Sequence, residues 1–467
     1  MDRPVVSVII PVYNVKEYIR KAAESICAQT LTDWEMLLVD DGSIDGSSQV
    51  CDELASEDDR IRVIHQENRG AAEARNAAIE QASGKYLYFM DADDWTAEGM
   101  LYDMVCLAEN YEFDAWAGVP VDNSGRNLEN IGRYTYKPNE MKADVPDERC
   151  AQMVISAFYI ETYYSDMDYY IQKQACIPKV FASKGEFRRM AHELFDKNLL
   201  YTPWNKLYLA SYIKENNIRF PSVHWDDFPF NLEVIRHIER VSVTDKAYYH
   251  FLRKRTDSES EKYNPSLYEK REEENKWLID LYDGWKCEVQ QQLIAYMKEN
   301  PEQITTSADP KNTPEGSESQ LSEEKTSEAP KGENVSEAVT LNEQGAVSFN
   351  FLDSKAASVP VVDIPSAEAD EFISRRYLER IVGCVENITN PECTLTKDEK
   401  IKEIKRIISQ DSVRQALKSA KPRSAYMKSM LMPVRIKSAK LTYAEGAFIS
   451  KMKAKHMKQF ASLKANR

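Results

Sequence analysis

The stretch KYLYFMDADDW, residues 85–95, decides how the first part of the chain is interpreted. Its first half is apolar and aromatic, which is typical of a buried β-strand. Its second half places three carboxylates, Asp91, Asp93 and Asp94, within four positions. Carboxylates so close together repel one another and raise each other's pKa unless a positive group lies between them. The stretch therefore predicts a strand that ends beside a positively charged group.

Three further apolar stretches precede this strand, and helical patterns separate them. Strands are predicted in VVSVIIP, WEMLLVD and RIRVIHQ, which begin at residues 5, 34 and 60. Strands that alternate with helices form a parallel sheet with helices on both faces. Ligands of such sheets bind beyond the carboxyl ends of the strands, which is where the acidic residues fall.

The composition predicts a soluble protein of two to four domains, with 467 residues of which 42% are apolar. No apolar run is long enough for a transmembrane helix, and the N-terminus has no cleavage-site pattern, so neither a membrane span nor a signal peptide is expected. Eight cysteines without a CxxC pair favour reduced thiols in a cytosol over a disulfide framework or a zinc site.

Changes in composition divide the chain into four predicted parts. Residues 1–260 hold the alternating pattern and an aromatic-rich region, and residues 266–300 are helical. Residues 301–365 are mostly polar and acidic and are expected to be a disordered insertion. Residues 366–467 are helical again, and from Lys397 onwards they carry 19 basic against 5 acidic residues. A basic tail on an acidic body indicates an anionic partner.

Two acidic clusters at strand ends are candidate ligand sites, and each has a structural alternative. Asp40 and Asp41 in VDDGS can contact a nucleoside, or they can form a turn in which Gly42 takes a positive φ. The DxD of Asp91 and Asp93 suits a hard divalent cation that bridges to phosphates. The alternative is a helix cap, but a cap needs only one acceptor.

A third cluster, HWDDFPF, places Asp226 and Asp227 among large apolar groups. Such a setting raises the pKa of a carboxylate, as suits a general base, whereas the alternative is a surface loop. His224 and His250 are interpreted as structural. No GxxxxGK[ST] or GxGxxG motif and no Ser-His-Asp set is present. A metal-bridged diphosphate with a separate carboxylate base is therefore the leading chemistry.

Six motifs together resemble the family-two glycosyltransferases, especially the bacterial branch that assembles capsular, exo- and other cell-surface polysaccharides. They are VSVIIPVYN, LLVDDGSIDGS, NRGAAEARNAAI, GKYLYFMDADDW, WNKLY and DDFPFN. The resemblance spans residues 4–260 and implies the GT-A fold of nucleotide-diphospho-sugar transferases. This is an α/β fold with a mostly parallel central sheet flanked by helices, and a helical C-terminal region follows it here.

The resemblance also implies roles for individual residues. The positions that match nucleotide-sugar-binding residues are Pro11, Tyr13, Asp40, Asp41, Arg75 and Asp91. The first two line the base, the aspartates of VDDGS lie at the uracil, Arg75 lies beside the uridine diphosphate, and Asp91 is on the ribose side. Asp93 matches the ligand of Mg²⁺ or Mn²⁺. Asp227 matches the catalytic base, although Phe228 stands where the family commonly has an acidic residue.

The activity implied is the inverting transfer of a hexosyl or N-acetylhexosaminyl group. The donor is a UDP-sugar, and the acceptor is a hydroxyl of a glycan or of a lipid-linked molecule. The alternatives are a catalytically inactive nucleotide-sugar-binding or scaffold protein of the same fold, a haloacid-dehalogenase-type phosphatase and a sugar nucleotidyltransferase. In the phosphatases the DxD normally follows an early strand, and the nucleotidyltransferases have a Gly-rich loop after the first strand, so both fit less well.

The basic tail has its own predicted role. On a helix, one arc of about 80° contains Ile449, Met452, Phe460 and Leu463, and the opposite side contains Lys451, Lys455 and Lys458. Such a helix is expected to lie in the interface of an anionic membrane, while the alternative is a solvated helix. We therefore expect a cytoplasmic protein that is peripheral at the inner face of the cell membrane, with no nucleic-acid partner.

Overall fold

The four strands predicted at the start of the chain lie side by side and form one half of a central sheet. The computed structural model of the protein describes residues 3–110, 145–165, 168–181, 183–254, 263–299, 336–341, 347–352 and 367–455. The four strands pair in parallel in the order β3-β2-β1-β4. They are β1 (Val6–Val12), β2 (Trp34–Asp40), β3 (Ile61–His65) and β4 (Tyr86–Phe89). Val12 pairs with Asp40 and Asp40 pairs with His65, so these strands end level at one edge.

Helices connect these strands as the sequence predicts. They are α1 (Lys16–Cys27), α2 (Ser47–Glu57) and α3 (Ala71–Gln81). The face of α1 that the spacing predicts to be apolar is buried, and it consists of Ile19, Ala22, Ala23 and Ile26. Strands β2 and β4 are buried along their whole length, as is typical of strands covered on both faces.

The aromatic-rich region adds the second half of the sheet, and this half is mixed. Its strands are β5 (Trp95–Thr96), β6 (Met153–Ser165), β7 (Asp168–Gln174), β8 (Lys179–Phe181), β9 (Lys206–Leu209) and β10 (Val241–Lys254). Within the described residues the order is β3-β2-β1-β4-β9-β6-β10-β5, with β7 beside β6 and β8 beside β10. Strand β9 is antiparallel to β4 and β6, whereas β10 is parallel to β6.

The expected α/β class is therefore confirmed, but a mostly parallel sheet is found only in the N-terminal half. The physical reason is the length of the connections. Strands β6 and β7 are joined by only two residues, and so short a link is possible only between antiparallel strands. In the part of this half that the structure describes, the α-helices are α4 (Met100–Glu109), α5 (Lys184–Asp196), α6 (Ala210–Glu215) and α7 (Asp227–Arg236).

The C-terminal region is helical, as predicted. Its helices are α8 (Leu267–Glu299), α9 (Ala367–Ile388), α10 (Lys397–Ile408), α11 (Asp411–Ser419), α12 (Ala425–Arg435) and α13 (Ala439–Lys455). Met1–Asp283 and Pro365–Arg467 belong to one compact unit. Within it, Arg375 of α9 donates to both carboxylate oxygens of Asp196 at 2.7 Å, which joins the helical region to the end of α5. Along the described chain, no helix combines the length and hydrophobicity that a membrane span requires.

A second compact unit, Gly284–Ile364, contains most of the predicted insertion. The structure describes an antiparallel hairpin there, formed by β11 (Ser336–Leu341) and β12 (Val347–Leu352). Disorder was the expectation for 301–365, and the two strands lie within that range. Apolar residues alternate in VSFNFL, and this period-two pattern favours a strand within an otherwise polar segment. Residues 300–335, 342–346 and 353–366 lie outside the described residues, and disorder of the insertion stays a prediction.

The basic tail is described only as far as Lys455. Ile449, which was placed on the membrane-facing arc, is instead buried in the core of the helical region. Its assignment to an exposed stripe is wrong because α13 packs on the other helices through the face that carries it. Phe460, Leu463 and Lys458 lie outside the described residues.

Candidate active site

Arg75 lies at the centre of a group of carboxylates at the strand edge. Its guanidinium donates to Asp91 at 2.9 Å and to Asp226 at 3.0 Å, and it lies 3.3 Å from a carboxylate oxygen of Asp227. Arg75 is buried in α3 and its guanidinium carbon lies 5.1 Å from the centre of the Phe220 ring. The structure thus brings together the DxD and the third acidic cluster, and a positive group between them is this arginine.

The two aspartates of HWDDFPF are placed by the start of α7, which begins at Asp227. Burial, together with the negative charges of Asp91 and Asp226, raises the pKa of Asp227 to about 7, although Arg75 pulls it down. Burial also raises the pKa of Asp226. Burial alone would lower the pKa of Arg75. The negative charges of Asp227, Asp91 and Asp226 outweigh this effect, so the pKa of Arg75 is raised. A carboxylate that titrates near neutral pH is suited to accept and release a proton.

Buried Lys206 of β9 belongs to the same surroundings. Its ammonium donates to the Thr202 carbonyl at 2.5 Å and to the side chain of Asn205 at 2.8 Å. Burial lowers the pKa of Lys206 well below its usual value. The charge of Lys206 in turn lowers the pKa of Asp227. The motif WNKLY thus contributes an electrostatic influence on Asp227, which sequence reasoning did not assign.

The three carboxylates of DADD have different surroundings. Asp94 is buried and accepts hydrogen bonds from the Tyr249 hydroxyl at 2.5 Å and from the Leu252 backbone at 2.8 Å. Burial and the neighbouring carboxylates raise the pKa of Asp94 well above its usual value. Asp94 therefore ties the DxD to β10, while Asp91 contacts Arg75 and Asp93 is exposed.

The aspartates of VDDGS are buried and hold their own loop. Asp41 accepts from the Gln66 side chain and from the backbone of Arg69 and Gly70, at 2.7 to 2.8 Å. Asp40 contacts a ring nitrogen of His65 at 3.0 Å and accepts from the Ser43 backbone at 3.1 Å.

Burial opposes ionisation of Asp40, but these hydrogen bonds prevail and lower its pKa. The positive φ predicted for Gly42 is confirmed, at 75°. At the same edge lie Pro11 in β1 and Tyr13, whose ring is exposed. Contact of any of these residues with a nucleotide stays a prediction.

Trp225, the residue before Asp226, was not singled out by the sequence as a site residue. Its φ is 60°, which is rare for a bulky residue, and its carbonyl accepts from the Phe228 backbone at 3.1 Å. The guanidinium carbon of Arg271 lies 4.1 Å from the centre of its ring. Since Arg271 belongs to α8, the helical region contacts the segment that presents Asp226 and Asp227. Contacts between residues so distant in sequence have no local signal.

His250 has the structural surroundings expected for it. Its ring stacks on Trp95 with centres 3.6 Å apart, and a ring nitrogen contacts Glu161 at 2.5 Å. Burial lowers the pKa of His250, although Glu161 opposes this effect. Among the residues that the structure describes, no group of three or more His, Cys, Asp or Glu side chains is arranged to hold a metal ion.

Residues 7–216 match the family model described as glycosyl transferase family 2. The chain contains a family-two glycosyltransferase domain. Its α/β architecture, with a mixed central sheet flanked by helices and a helical C-terminal region, is of the GT-A type.

Relatives of this glycosyltransferase domain occur in Bacillus subtilis (strain 168). The uncharacterized glycosyltransferase EpsJ is 27% identical over 288 residues, which cover 60% of this chain and 71% of EpsJ. TuaG, which is named for teichuronic acid biosynthesis, is 38% identical over 130 residues, or 26% of this chain and about half of TuaG (52%). The crystal structure of residues 1–349 of S. aureus TarS with UDP-GlcNAc has a TM-score of 0.49 at 15% identity, over 96% of this chain and 92% of that TarS fragment.

Proposed function

We propose that the protein transfers a sugar from a UDP-sugar to a hydroxyl of a glycan or lipid-linked acceptor, in cell-surface polysaccharide biosynthesis. The observation that carries the proposal is the group around Arg75, where Asp227 has a pKa of about 7 at the strand edge of a family-two glycosyltransferase domain. The name of TuaG supports a cell-surface polymer as the product. The sugar is a hexosyl or N-acetylhexosaminyl group in this proposal.

Asp227 is the proposed general base. It accepts the proton of the acceptor hydroxyl as that oxygen attacks the anomeric carbon from the face opposite the diphosphate. One such displacement inverts the anomeric centre. A base with a pKa near the working pH is ionised often enough to react and still takes up a proton readily. Arg75 lies 3.3 Å from a carboxylate oxygen of Asp227 and would help to hold it in place.

The donor is proposed to lie along the ends of β1, β2 and β4. The exposed ring of Tyr13, with Pro11, offers an apolar surface to the base, and the loop held by Asp40 and Asp41 lies on the uracil side. Arg75 provides a guanidinium for the diphosphate, since guanidinium groups pair well with phosphate oxygens. The ribose lies beside Asp91 in this arrangement.

The donor set of the DxD fits Mg²⁺ or Mn²⁺ that arrives with the diphosphate. Asp91, Asp226 and Asp227 surround a single guanidinium, so the site carries an excess of negative charge. Asp93 would hold the ion, because Mg²⁺ commonly takes one or two carboxylates and completes its shell with substrate phosphates and water. When bound, the ion offsets negative charge on the departing UDP.

A panel of UDP-sugars tests the proposal. UDP release by the full-length protein would be measured with Mg²⁺, with Mn²⁺ and with a chelator. We expect release from at least one UDP-sugar and its loss on chelation and in Asp93→Ala, whereas Asp59→Ala, a substitution of an exposed aspartate, keeps it. Saturable UDP binding without turnover of any donor would instead support an inactive nucleotide-sugar-binding protein.

The proposed location is the cytoplasmic side of the cell membrane, to which the protein binds peripherally. UDP-sugars and lipid-linked acceptors meet at that surface. The basic C-terminal region supports the assignment, because anionic lipids attract lysine and arginine side chains.

A further inference from the structure

Helix α13 presents a stripe of apolar side chains to solvent. Leu441, Phe448 and Met452 are seven and four residues apart, so they fall within an arc of about 40° on one face. Helix α12 and the residue that follows it carry two more exposed apolar side chains, Met432 and Ile436. All five are between 39% and 66% exposed. Side chains of this kind are usually covered in a soluble protein when they lie side by side.

One hydrogen bond shows that the two stripes are neighbours. The Ser429 hydroxyl of α12 donates to the carboxylate of Glu445 in α13. Ser429 lies one turn before Met432 on the same side of its helix, and Glu445 lies between Leu441 and Phe448. The five side chains therefore belong to one surface, which we call the apolar face.

The orientation of α13 is set by the side of the helix next to the apolar face. Thr442, Gly446 and Ile449 are buried. A Cβ at Gly446 would lie 3.0 Å from the side chains of Thr389 and Val385, so α13 packs closely on α9 there. Helix α13 is thus held with the apolar face outwards, and this face is not an unpacked part of the core.

Basic residues surround the apolar face. The exposed ones are Lys428, Arg435, Lys437, Lys440 and Lys451. Between residues 425 and 455 the chain has seven basic residues, and Glu445 is its one acidic residue. The carboxylate of Glu445 is itself engaged by Ser429. The surface is therefore both apolar and strongly positive.

We propose that the apolar face docks on an anionic phospholipid bilayer, with its apolar side chains in the interface and the basic ones at the lipid headgroups. Amphipathic helices bind membranes through this combination of apolar burial and attraction to anionic lipids. A symmetric dimer would place the same patch against itself. That pairing would oppose two sets of basic residues, so a second copy of the chain fits less well.

This inference deepens the proposed function and rests on it in one respect, since a lipid-linked acceptor would lie on the same bilayer. Vesicle binding and UDP-sugar turnover are separate measurements. Loss of one without the other distinguishes failure of the docking inference from failure of the proposed activity.

The test is co-sedimentation of the full-length protein with vesicles of phosphatidylcholine alone or of equal parts phosphatidylcholine and phosphatidylglycerol. Two double variants remove the apolar or the basic component, Leu441→Ser with Phe448→Ser, and Lys437→Glu with Lys440→Glu. The matched control, Lys276→Glu with Ile279→Ser, changes one exposed basic and one exposed apolar residue on α8. Mass in solution is measured in parallel by light scattering.

We expect the protein and the control to bind the anionic vesicles at low salt and to dissociate as salt rises. Each double variant should weaken binding by at least about tenfold while UDP-sugar turnover is retained. Three results would overturn the inference. The first is no binding of the wild-type protein to anionic vesicles, and the second is binding by either double variant that equals that of the wild type. The third is that the double variants change only the oligomeric mass. The last result would identify the apolar face as a contact between copies.

Discussion

Replacing Asp227 with asparagine should make the protein more stable at alkaline pH while it slows turnover by orders of magnitude. In the folded protein the pKa of Asp227 is raised to about 7, first by burial and then by its carboxylate neighbours. In the unfolded chain an aspartate titrates near 4, so the difference is about three units. The folded state thus favours the neutral form of Asp227. The stability that this preference provides is fully present below about pH 4 and is lost as pH rises to about 7.

The size of the effect follows from the shift and from the exposure of the side chain. Three pKa units correspond to about 4 kcal/mol at most. The side chain of Asp227 is 26% exposed, and water at the site stabilises its charge, so we expect roughly half of that, about 2 kcal/mol. Asparagine cannot ionise and avoids this cost, hence Asp227→Asn should gain about 2 kcal/mol at pH 8 and little at pH 4.

Urea unfolding followed by tryptophan fluorescence at pH 4, 6 and 8 measures the difference. Asp280→Asn serves as the control, because Asp280 is exposed on α8, and its unfolding midpoints should follow those of the wild type. The reasoning would be refuted if Asp227→Asn were no more stable than the wild type at pH 8, or if their difference did not grow between pH 4 and pH 8.

Three further substitutions test the surroundings of the site. Arg75→Gln leaves a cluster of carboxylates without its positive partner and should cost about 3 kcal/mol of unfolding free energy. The control, Arg20→Gln, breaks surface pairs with Glu53 and Glu57 and should leave the unfolding midpoint almost unchanged. Arg271→Ala removes the contact with the Trp225 ring and should lower kcat for UDP release with little change in UDP affinity, if this contact helps to position Asp226 and Asp227. An unchanged kcat would show that it does not. Hydrogen bonds, first to Asp40 and then to Asp52, raise the pKa of His65 in the folded protein. The stability that His65→Gln loses should therefore be greatest below pH 6 and should vanish as pH rises through the folded-state pKa of His65. Equal losses at pH 5.5 and 8.5 in urea unfolding would contradict this.

Local patterns predicted the first half of the fold well. Strands β1 to β4 are short, mainly apolar runs, and α1 has a clear apolar face, so the alternation of strand and helix follows from local patterns. The hairpin of β11 and β12 was missed because composition over the whole insertion hides an alternation of only six residues. Ile449 was misplaced because a helical wheel does not tell which of two apolar stripes meets the core.

The acidic residues of the site were predicted, but their contacts were not. Nothing in DADD tells that Asp94 is buried against Tyr249 while Asp93 remains exposed. The contacts of Arg75 with Asp226 and Asp227 join segments about 150 residues apart, and only the folded sheet brings them together. The same holds for Arg271 and Trp225. Long-range ion pairs and ring contacts leave no periodic trace in a sequence.

The most direct test of the central claim compares kcat for UDP-sugar turnover in Asp227→Asn and Asp226→Asn, with UDP affinity measured for both. If Asp227 is the base, its variant should lose roughly 10²- to 10⁴-fold in kcat with UDP affinity almost unchanged. Asp226→Asn should retain most of the activity. Wild-type kcat in Asp227→Asn, or a large loss confined to Asp226→Asn, would contradict the account.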